Sequence, residues 1–545
     1  MSARLTKYLP HISLVLLLIG ILCFNHVLEI RGAEGRRAMV TYEMMENGDL
    51  LTPYLHGHPY YNKPPFYNWV IALFFFAFGS ISEWVLRLPG VLSLISTAIL
   101  FFYVAKRYVR KEVALLGAGA ALTITDMLFY GSINAGEIDL FYALLTSLQV
   151  LAIFWYQQKD KWLLLFVTSY TLTAIGALTK GLPSLAFQAL TLLAWFAYTK
   201  NFKRLFGWQH ITGIAILIVI TTGYFWLYSM NGEALGYVIN TFKQASQRSA
   251  NEYGILDVIG NLFVFPFEFL RRLLPWSLAI VFLFSKSIRA QIKQNPFISF
   301  VVLFIVVNIP IYWSAPELRI RYTYMFFPFF AMLFAWLLDR GFNSLNKAHV
   351  VIEYIIGATL AIGSLALIGI GFAIESLPVL HVFVLILSGM IFGGLALLLW
   401  KTEWRLESYW ILVLGLAVTR MAYNIVGMPY TAQTIHDYSQ MTKQMIETSG
   451  EKPIHYYGQL VELRPNLSLF GQDFYRDTLL IPKDLTAGFG YYDALLRDEV
   501  MDNATQVVAG DYYLLYEKDW MDRLEPLDTI PKMMGGQNFL FCRGI

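Results

Sequence analysis

Long apolar runs alternate with short polar connections along most of the chain. Runs near the ~20 residues that cross a hydrocarbon layer occupy 9–28, 85–105, 112–131, 138–156, 162–179, 182–198, 210–229, 273–287, 297–314, 323–339, 351–374, 379–400 and 408–426. At that length they predict about thirteen transmembrane helices. The run at 66–80 is shorter, follows Pro64-Pro65 and reads as a helix lying at the interface. Beyond 426 the polarity rises. Strand-like runs from Pro453 to Tyr457, Thr478 to Ile481, Val507 to Tyr516 and Phe539 to Cys542 alternate there with polar helical stretches. The pattern predicts an all-α polytopic membrane domain over 1–426, with a long loop at 29–84 carrying juxtamembrane helices, and a small extracytoplasmic α/β domain over 427–545.

Composition agrees with burial in lipid. The chain is 57% hydrophobic and 14% charged, where a soluble domain carries about 25% charged residues. The two cysteines, Cys23 and Cys542, are too few and too distant for a disulfide framework or a metal cluster. The first apolar run follows Arg4 and Lys7 but lacks a clear small-residue cleavage site, so it reads as an uncleaved anchor. Basic residues gather in alternate connections: Lys106, Arg107, Arg110 and Lys111; Lys159 and Lys161; Lys200, Lys203 and Arg204; Lys286, Arg289 and Lys293; Arg340 and Lys347; Lys401 and Arg405. The positive-inside rule puts these connections and the N-terminus in the cytoplasm. An odd number of spans then puts the tail outside, with the loops 29–84 and 230–272 and the turns 132–137, 180–181 and 315–322.

The outward segments hold the candidate chemistry. Ala38, Tyr42 and Met45 share one face of a predicted amphipathic helix over 33–46, which places Glu34 and Arg36 just beyond the first span. The plainer reading is a surface helix with solvated charges. Lys63 lies among aromatics and is held out of helix by Pro64. It suits either a lipid phosphate or a simple snorkelling anchor. The turn from Ser132 to Asp139 brings Glu137 and Asp139 to the mouth of a span, on different faces if both are helical. Asp126 lies near the same end of the preceding span, and for each such acid a helix dipole is the bland explanation. Lys180, Arg248, Arg319 and Arg321 are outward cations, and Lys180, Arg319 and Arg321 occupy short turns where basic residues should be scarce. Cations kept against that trend suggest an anionic ligand, and a phosphate is the economical candidate. His56 and His58 lack an obvious third ligand, so no metal is expected. No glycine-rich phosphate loop, nucleophile elbow or basic-aromatic stripe is present, which argues against a nucleotide cofactor and against nucleic acid as partner.

The first loop, with Ala33-Glu34-Gly35-Arg36-Arg37-Ala38, Glu43-Met44, Gly48-Asp49, Thr52-Pro53, Gly57 and Tyr61-Asn62-Lys63-Pro64-Pro65, resembles the aminoarabinose transferases. More broadly it resembles the protein O-mannosyltransferase superfamily of GT-C glycosyltransferases. That family's loop reads Asp-Glu-x-Arg-Tyr-Ala, Arg-Glu-Met, Gly-Asp-Trp, a Pro and Glu-Lys-Pro. Arg87-Leu88-Pro89, Asp139, Thr179-Lys180-Gly181, Leu274-Pro275-Trp276 and Arg321-Tyr322-Thr323-Tyr324 continue the likeness in order. Two places depart from it: the leading acid is Ala33, leaving Glu34, and the Glu-Lys pair is Asn62-Lys63, with Ala245 where a partner histidine is expected. The second departure argues against a metal the family would bind.

The resemblance implies a GT-C fold and transfer of a sugar from a polyprenyl-phosphate donor to an extracytoplasmic acceptor: lipid A, another glycolipid or glycan, or a protein. It further implies inversion at the sugar carbon and a bacterial inner-membrane location. Glu34, with Asp139, would supply the carboxylate base. Arg36, Lys63, Lys180, Arg248 and Arg321 would hold the phosphate. No cofactor is called for. A transporter or flippase of an anionic lipid or glycan is the competing reading; it accounts for the outward cations but not for the long first loop or the tail. A scaffold for envelope assembly accounts for the tail alone.

Overall fold

The structure is a computed structural model that describes residues 3–545 apart from 24, 31–32, 130–132, 247–253, 317–318, 344–347, 375–376, 402–405, 436–437, 451, 459, 464–465, 470–471, 476–478, 483–486 and 531–537. Among the described residues, nine helices are long and apolar enough to cross a membrane, from Glu83–Ala105 to Tyr409–Ala432. Each falls on one of the expected runs. Two further runs form the shorter apolar helices Tyr8–Leu22 and Pro183–Tyr198, and the interfacial candidate is the helix Phe66–Phe78. Ile320–Phe342 is almost wholly enclosed, whereas the strongly apolar Ala348–Ala373 is mostly exposed. A lipid surround accounts for such an exposed apolar surface. The chain is a multi-pass membrane protein.

The two remaining runs are not continuous α-helices. The run at 112–131 forms Lys111–Leu122 and a short helix Thr125–Phe129, and the run at 273–287 forms a 3-10 helix, Trp276–Phe284. Pro275 has no N–H to continue the preceding helix Ile255–Arg272. At the other break the Thr123 hydroxyl turns back to donate to the Gly119 carbonyl, at 2.7 Å. The two irregular segments satisfy each other. Backbone N–H and side-chain hydroxyl of Thr125 both donate to the Leu274 carbonyl, and Trp276 Nε1 donates to Thr123 Oγ1 at 3.0 Å. Irregular backbone at membrane depth is tolerated where such partners exist.

The first loop folds into the helix Ala33–Glu46, a tight hairpin pairing Tyr54–Leu55 with His58–Pro59, and the helix Phe66–Phe78. The hairpin turns on His56 and Gly57, both at positive φ. Ala33–Glu46 is not the solvated surface helix its sequence suggests, since the residues from Gly35 to Met44 are buried apart from Arg36. The tail covers it.

That tail contains a five-stranded mixed sheet in the order Leu524–Ile530, Phe539–Gly544, Tyr512–Tyr516, Ile454–Tyr457, Asn503–Ala504. Helices Tyr438–Ser449 and Ala487–Arg497 pack together and meet the first loop. The Tyr42 hydroxyl donates to Asp498 at 2.8 Å, and those of Tyr491 and Tyr492 to the Ile81 carbonyl and to Glu83, each at 2.8 Å. Glu29 accepts the backbone N–H groups of Tyr438 and Ser439 at the start of Tyr438–Ser449, where a carboxylate suits the helix dipole.

Candidate active site

Four charged side chains meet where the first loop joins the helical bundle. The helix Ile138–Gln157 begins after Glu137, which is extended, so Glu137 and Asp139 do not diverge as two helical residues would. Asp139, in the first turn, accepts from Lys180 Nζ at 2.5 Å through Oδ1. Its Oδ2 lies 3.7 Å from Arg321 Nε, and Arg321 Nη1 donates to Glu137. Both acids therefore serve one site.

Lys180 is the last residue of the helix Trp162–Lys180, and the chain leaves through Gly181 at φ +88°. A side chain at Gly181 would meet Thr241 of the helix Ala234–Ser246 at 3.3 Å. The Lys180 ammonium is buried between the rings of Tyr142 and Tyr322, 4.9 and 5.0 Å from their centroids. Arg321 sits on the 3-10 helix Ile320–Phe326 beside Tyr322.

Glu34 borders this cluster but faces elsewhere. Its Oε1 accepts from Arg87 Nε at 2.6 Å and from the Gly136 N–H at 2.7 Å, and its Oε2 accepts from Arg87 Nη2 at 3.0 Å. Side chains of both Glu34 and Arg87 have no solvent exposure. Gly136 is required at that approach, because a Cβ there would lie 2.6 Å from Leu86. Arg36 lies over the Tyr60 ring at 5.9 Å. Loss of hydration lowers its pKa from the usual arginine value; Tyr60 and Tyr322 oppose the shift, while Arg37 and Arg321 add to it.

Lys63 is carried on a loop clasped from the helix Ala234–Ser246. The Tyr237 hydroxyl donates to the Lys63 carbonyl at 2.5 Å and Asn240 Nδ2 to the Tyr61 carbonyl at 2.9 Å. Just beyond Lys63, the Phe66 and Tyr67 rings lie 6.2 and 5.4 Å from Phe141, two residues past Asp139.

Residues 62–226 match the family model described as dolichyl-phosphate-mannose-protein mannosyltransferase. A protein of Erwinia tasmaniensis named undecaprenyl phosphate-alpha-4-amino-4-deoxy-L-arabinose arabinosyl transferase is 27% identical over 181 residues, which cover 32% of this chain and 31% of the relative. An uncharacterized protein of Aquifex aeolicus is 28% identical over 199 residues, 36% of this chain and 42% of the relative. These sequence matches span less than half the length of either relative. The likeness in three dimensions is longer. The crystal structure of ArnT from Cupriavidus metallidurans bound to undecaprenyl phosphate matches over 99% of this chain and 98% of that one, with a TM-score of 0.64 at 16% identity. The chain has the GT-C fold of the ArnT type. The apo form of the same ArnT gives a TM-score of 0.66, again at 16% identity, over 98% of this chain and 97% of that one.

Within this GT-C fold the sequence-expected residues separate into groups. Asp139, Lys180 and Arg321 come together, and Arg36 lies near enough to Arg321 to feel its charge. Lys63 is on the adjoining loop. Arg248 lies outside the described residues. Glu34, expected as a base, is a buried carboxylate that accepts from Arg87 Nε and Nη2 and from the Gly136 N–H. Tyr142 and Arg87 also touch these groups; Tyr142 was not singled out in the sequence, and Arg87 entered only through the Arg87-Leu88-Pro89 likeness, its partner being 53 residues away.

Proposed function

We propose that this protein transfers a sugar from a polyprenyl-phosphate carrier to an acceptor on the non-cytoplasmic side of a bacterial inner membrane, with the N-terminus in the cytoplasm and the tail in the periplasm. The carrying observation is the buried Asp139 between Lys180 and Arg321, on a fold matched by an ArnT that was crystallised with undecaprenyl phosphate. In this reading Asp139 takes the proton of an acceptor hydroxyl as its oxygen attacks the anomeric carbon. The bond from that carbon to the phosphate oxygen breaks with inversion, and polyprenyl phosphate leaves as an anion. Arg321, Lys180, Arg36 and Lys63 stabilise that charge, with Arg248 as a further phosphate ligand. Glu34 keeps the turn 136–139 and Arg87 in register and takes no proton. Lipid A, another glycolipid or glycan, and protein hydroxyls are all acceptors of the required chemistry.

The test is transfer by the purified protein in vesicles supplied with a labelled polyprenyl-phosphate sugar and envelope lipid, glycan and protein fractions. Label should move to one fraction with the wild type and not with Asp139→Asn. Movement of the intact lipid-linked sugar across the vesicle membrane, with no transfer to any fraction, would instead establish the flippase reading.

A further inference from the structure

Three ion pairs neutralise much of the charge at the site: Glu34 with Arg87, Asp139 with Lys180, and Glu137 with Arg321. Arg37 belongs to none of them. Its side chain lies within the protein, with the residue only 3% exposed, and Nη1 has no hydrogen-bond partner. Among the described residues no carboxylate forms an ion pair with it. A buried guanidinium without a counter-charge is unfavourably desolvated, and an anion at that position would offset this.

The backbone of Arg37 is fixed. Its carbonyl accepts from Thr41 Oγ1 at 2.8 Å and from Asn68 Nδ2 at 3.3 Å, tying Ala33–Glu46 to Phe66–Phe78. Two buried tyrosine hydroxyls of the same loop are in the same condition. Tyr67, fully buried, and Tyr60, 2% exposed, both have hydroxyls without partners. The Arg37 charge lies near enough to Tyr67, Tyr237 and Arg36 to act on each of them, and Arg36 lies over Tyr60. The Tyr67 hydroxyl also points toward the acidic turn, because it and the Glu137 carbonyl lie 3.9 and 3.8 Å from the place where Gly90 would carry a Cβ. Buried polar groups are nearly always paired. Here one guanidinium nitrogen and two hydroxyls, all donors, lack acceptors.

We propose that Arg37, with the Tyr67 and Tyr60 hydroxyls, binds the phosphate of the lipid-linked donor, which is a diester before transfer and the monoester polyprenyl phosphate after it. The inference rests on the transfer reading above and extends it. A planar guanidinium gives two parallel donors to one phosphate, which a lysine does not.

The experiment is equilibrium binding of undecaprenyl phosphate to the full-length protein in lipid nanodiscs, with undecaprenol and inorganic phosphate as the other arms. Arg37→Gln should weaken undecaprenyl phosphate binding by about tenfold or more, the loss of a charge-assisted pair, and leave undecaprenol binding unchanged. Tyr67→Phe should weaken it less. Inorganic phosphate should compete poorly; binding as tight as that of the lipid phosphate would overturn assignment to the donor. Wild-type affinity in Arg37→Gln overturns the proposal and leaves the transfer reading intact, whereas a wild type that binds no polyprenyl phosphate removes both. If Arg37→Gln does not fold, Arg37→Lys decides, because unaltered affinity without the two-point contact also overturns the proposal.

Discussion

Glu34 receives the Arg87 guanidinium edge-on, with 2.6 Å to Nε and 3.0 Å to Nη2 and both side chains sealed from solvent. Arg87 also donates to the carbonyls of Asn25, Leu28 and Glu29. The pair thus joins the exit of the first helix to the start of Glu83–Ala105 and closes the base of the first loop. Removing one partner leaves the other charge buried and uncompensated, at about 3–5 kcal/mol. Glu34→Gln should therefore lower thermal stability in detergent by that order, and Arg87→Met should do the same. Combining the two should recover part of the loss in a double-mutant cycle. A Glu34→Gln protein of wild-type stability that has lost turnover would return Glu34 to the chemistry.

Asp139→Asn also breaks a buried pair, with Lys180, but its main effect should be on turnover. Asn keeps the size of the side chain but accepts no proton at catalytic pH, so turnover should fall by about 10²–10⁴-fold. Carrier binding should persist, because Lys180 and Arg321 lose a competing anion. Separate measurement of kcat and of polyprenyl-phosphate Kd tests this. A large loss of affinity with turnover retained at saturation would remove Asp139 as base.

The spans were legible in the sequence because lipid demands length and apolarity of each helix, whatever its neighbours. The break at Thr123 to Thr125 was not, because its backbone is satisfied by Leu274, 149 residues away. Leu524–Ile530 was missed as a strand since its interior residues are exposed and show no alternation. In the site, Lys180 and Arg321 stood out as cations on the unfavoured side of the membrane, and Asp139 as an acid at a span's mouth. The burial of Arg37 and Glu34 was not legible. Both lie on a helix whose polar face looks solvated until the tail covers it, and burial of that kind has no local signature.

The contact between first loop and tail should hide two opposed titrations. Burial pushes the Glu43 carboxyl up from its usual 4.5 to about 7, against the lowering effect of the Gly57 and His56 N–H groups it accepts from and with a small push from Asp502. Burial lowers His56 from 6.5 to about 3; the Met501 backbone and Asp502 oppose the shift, and His58 adds to it. For Glu43 the folded state holds the proton longer, so its contribution is present below pH 4.5 and is lost as pH rises to about 7. For His56 the unfolded state holds the proton longer, so its contribution is present above pH 6.5 and is lost as pH falls toward about 3. Between 4.5 and 6.5 the slopes oppose each other. Thermal stability of the wild type should be nearly flat there. Glu43→Gln should expose stability rising with pH, and His56→Phe stability falling with pH, each by up to about 1.4 kcal/mol per pH unit. Two variants with the same slope as the wild type would show that neither group titrates in this way.

Asp126 accepts from Arg272 Nη1 through one oxygen and from the Tyr324 hydroxyl through the other, both at 2.7 Å. Tyr324 is three residues from Arg321 on the same 3-10 helix, where residues at that spacing eclipse one another. Asp126 therefore fixes the rotation of the segment that aims Arg321 at Glu137 and Asp139. It also ties that segment to the end of Ile255–Arg272, next to the paired breaks at Thr125 and Leu274. Asp126→Asn retains one acceptor for two donors, which should cost about 1–3 kcal/mol of stability. Its more specific effect should be weaker polyprenyl-phosphate binding, with kcat at saturation changed less. Tyr324→Phe cuts only the link to the Arg321 segment and should weaken binding in the same way. If the two act through one hydrogen bond, the double variant should bind no worse than Asp126→Asn alone. Losses of affinity that simply add would mean that Asp126 acts by another route, and its link to Arg321 would fall.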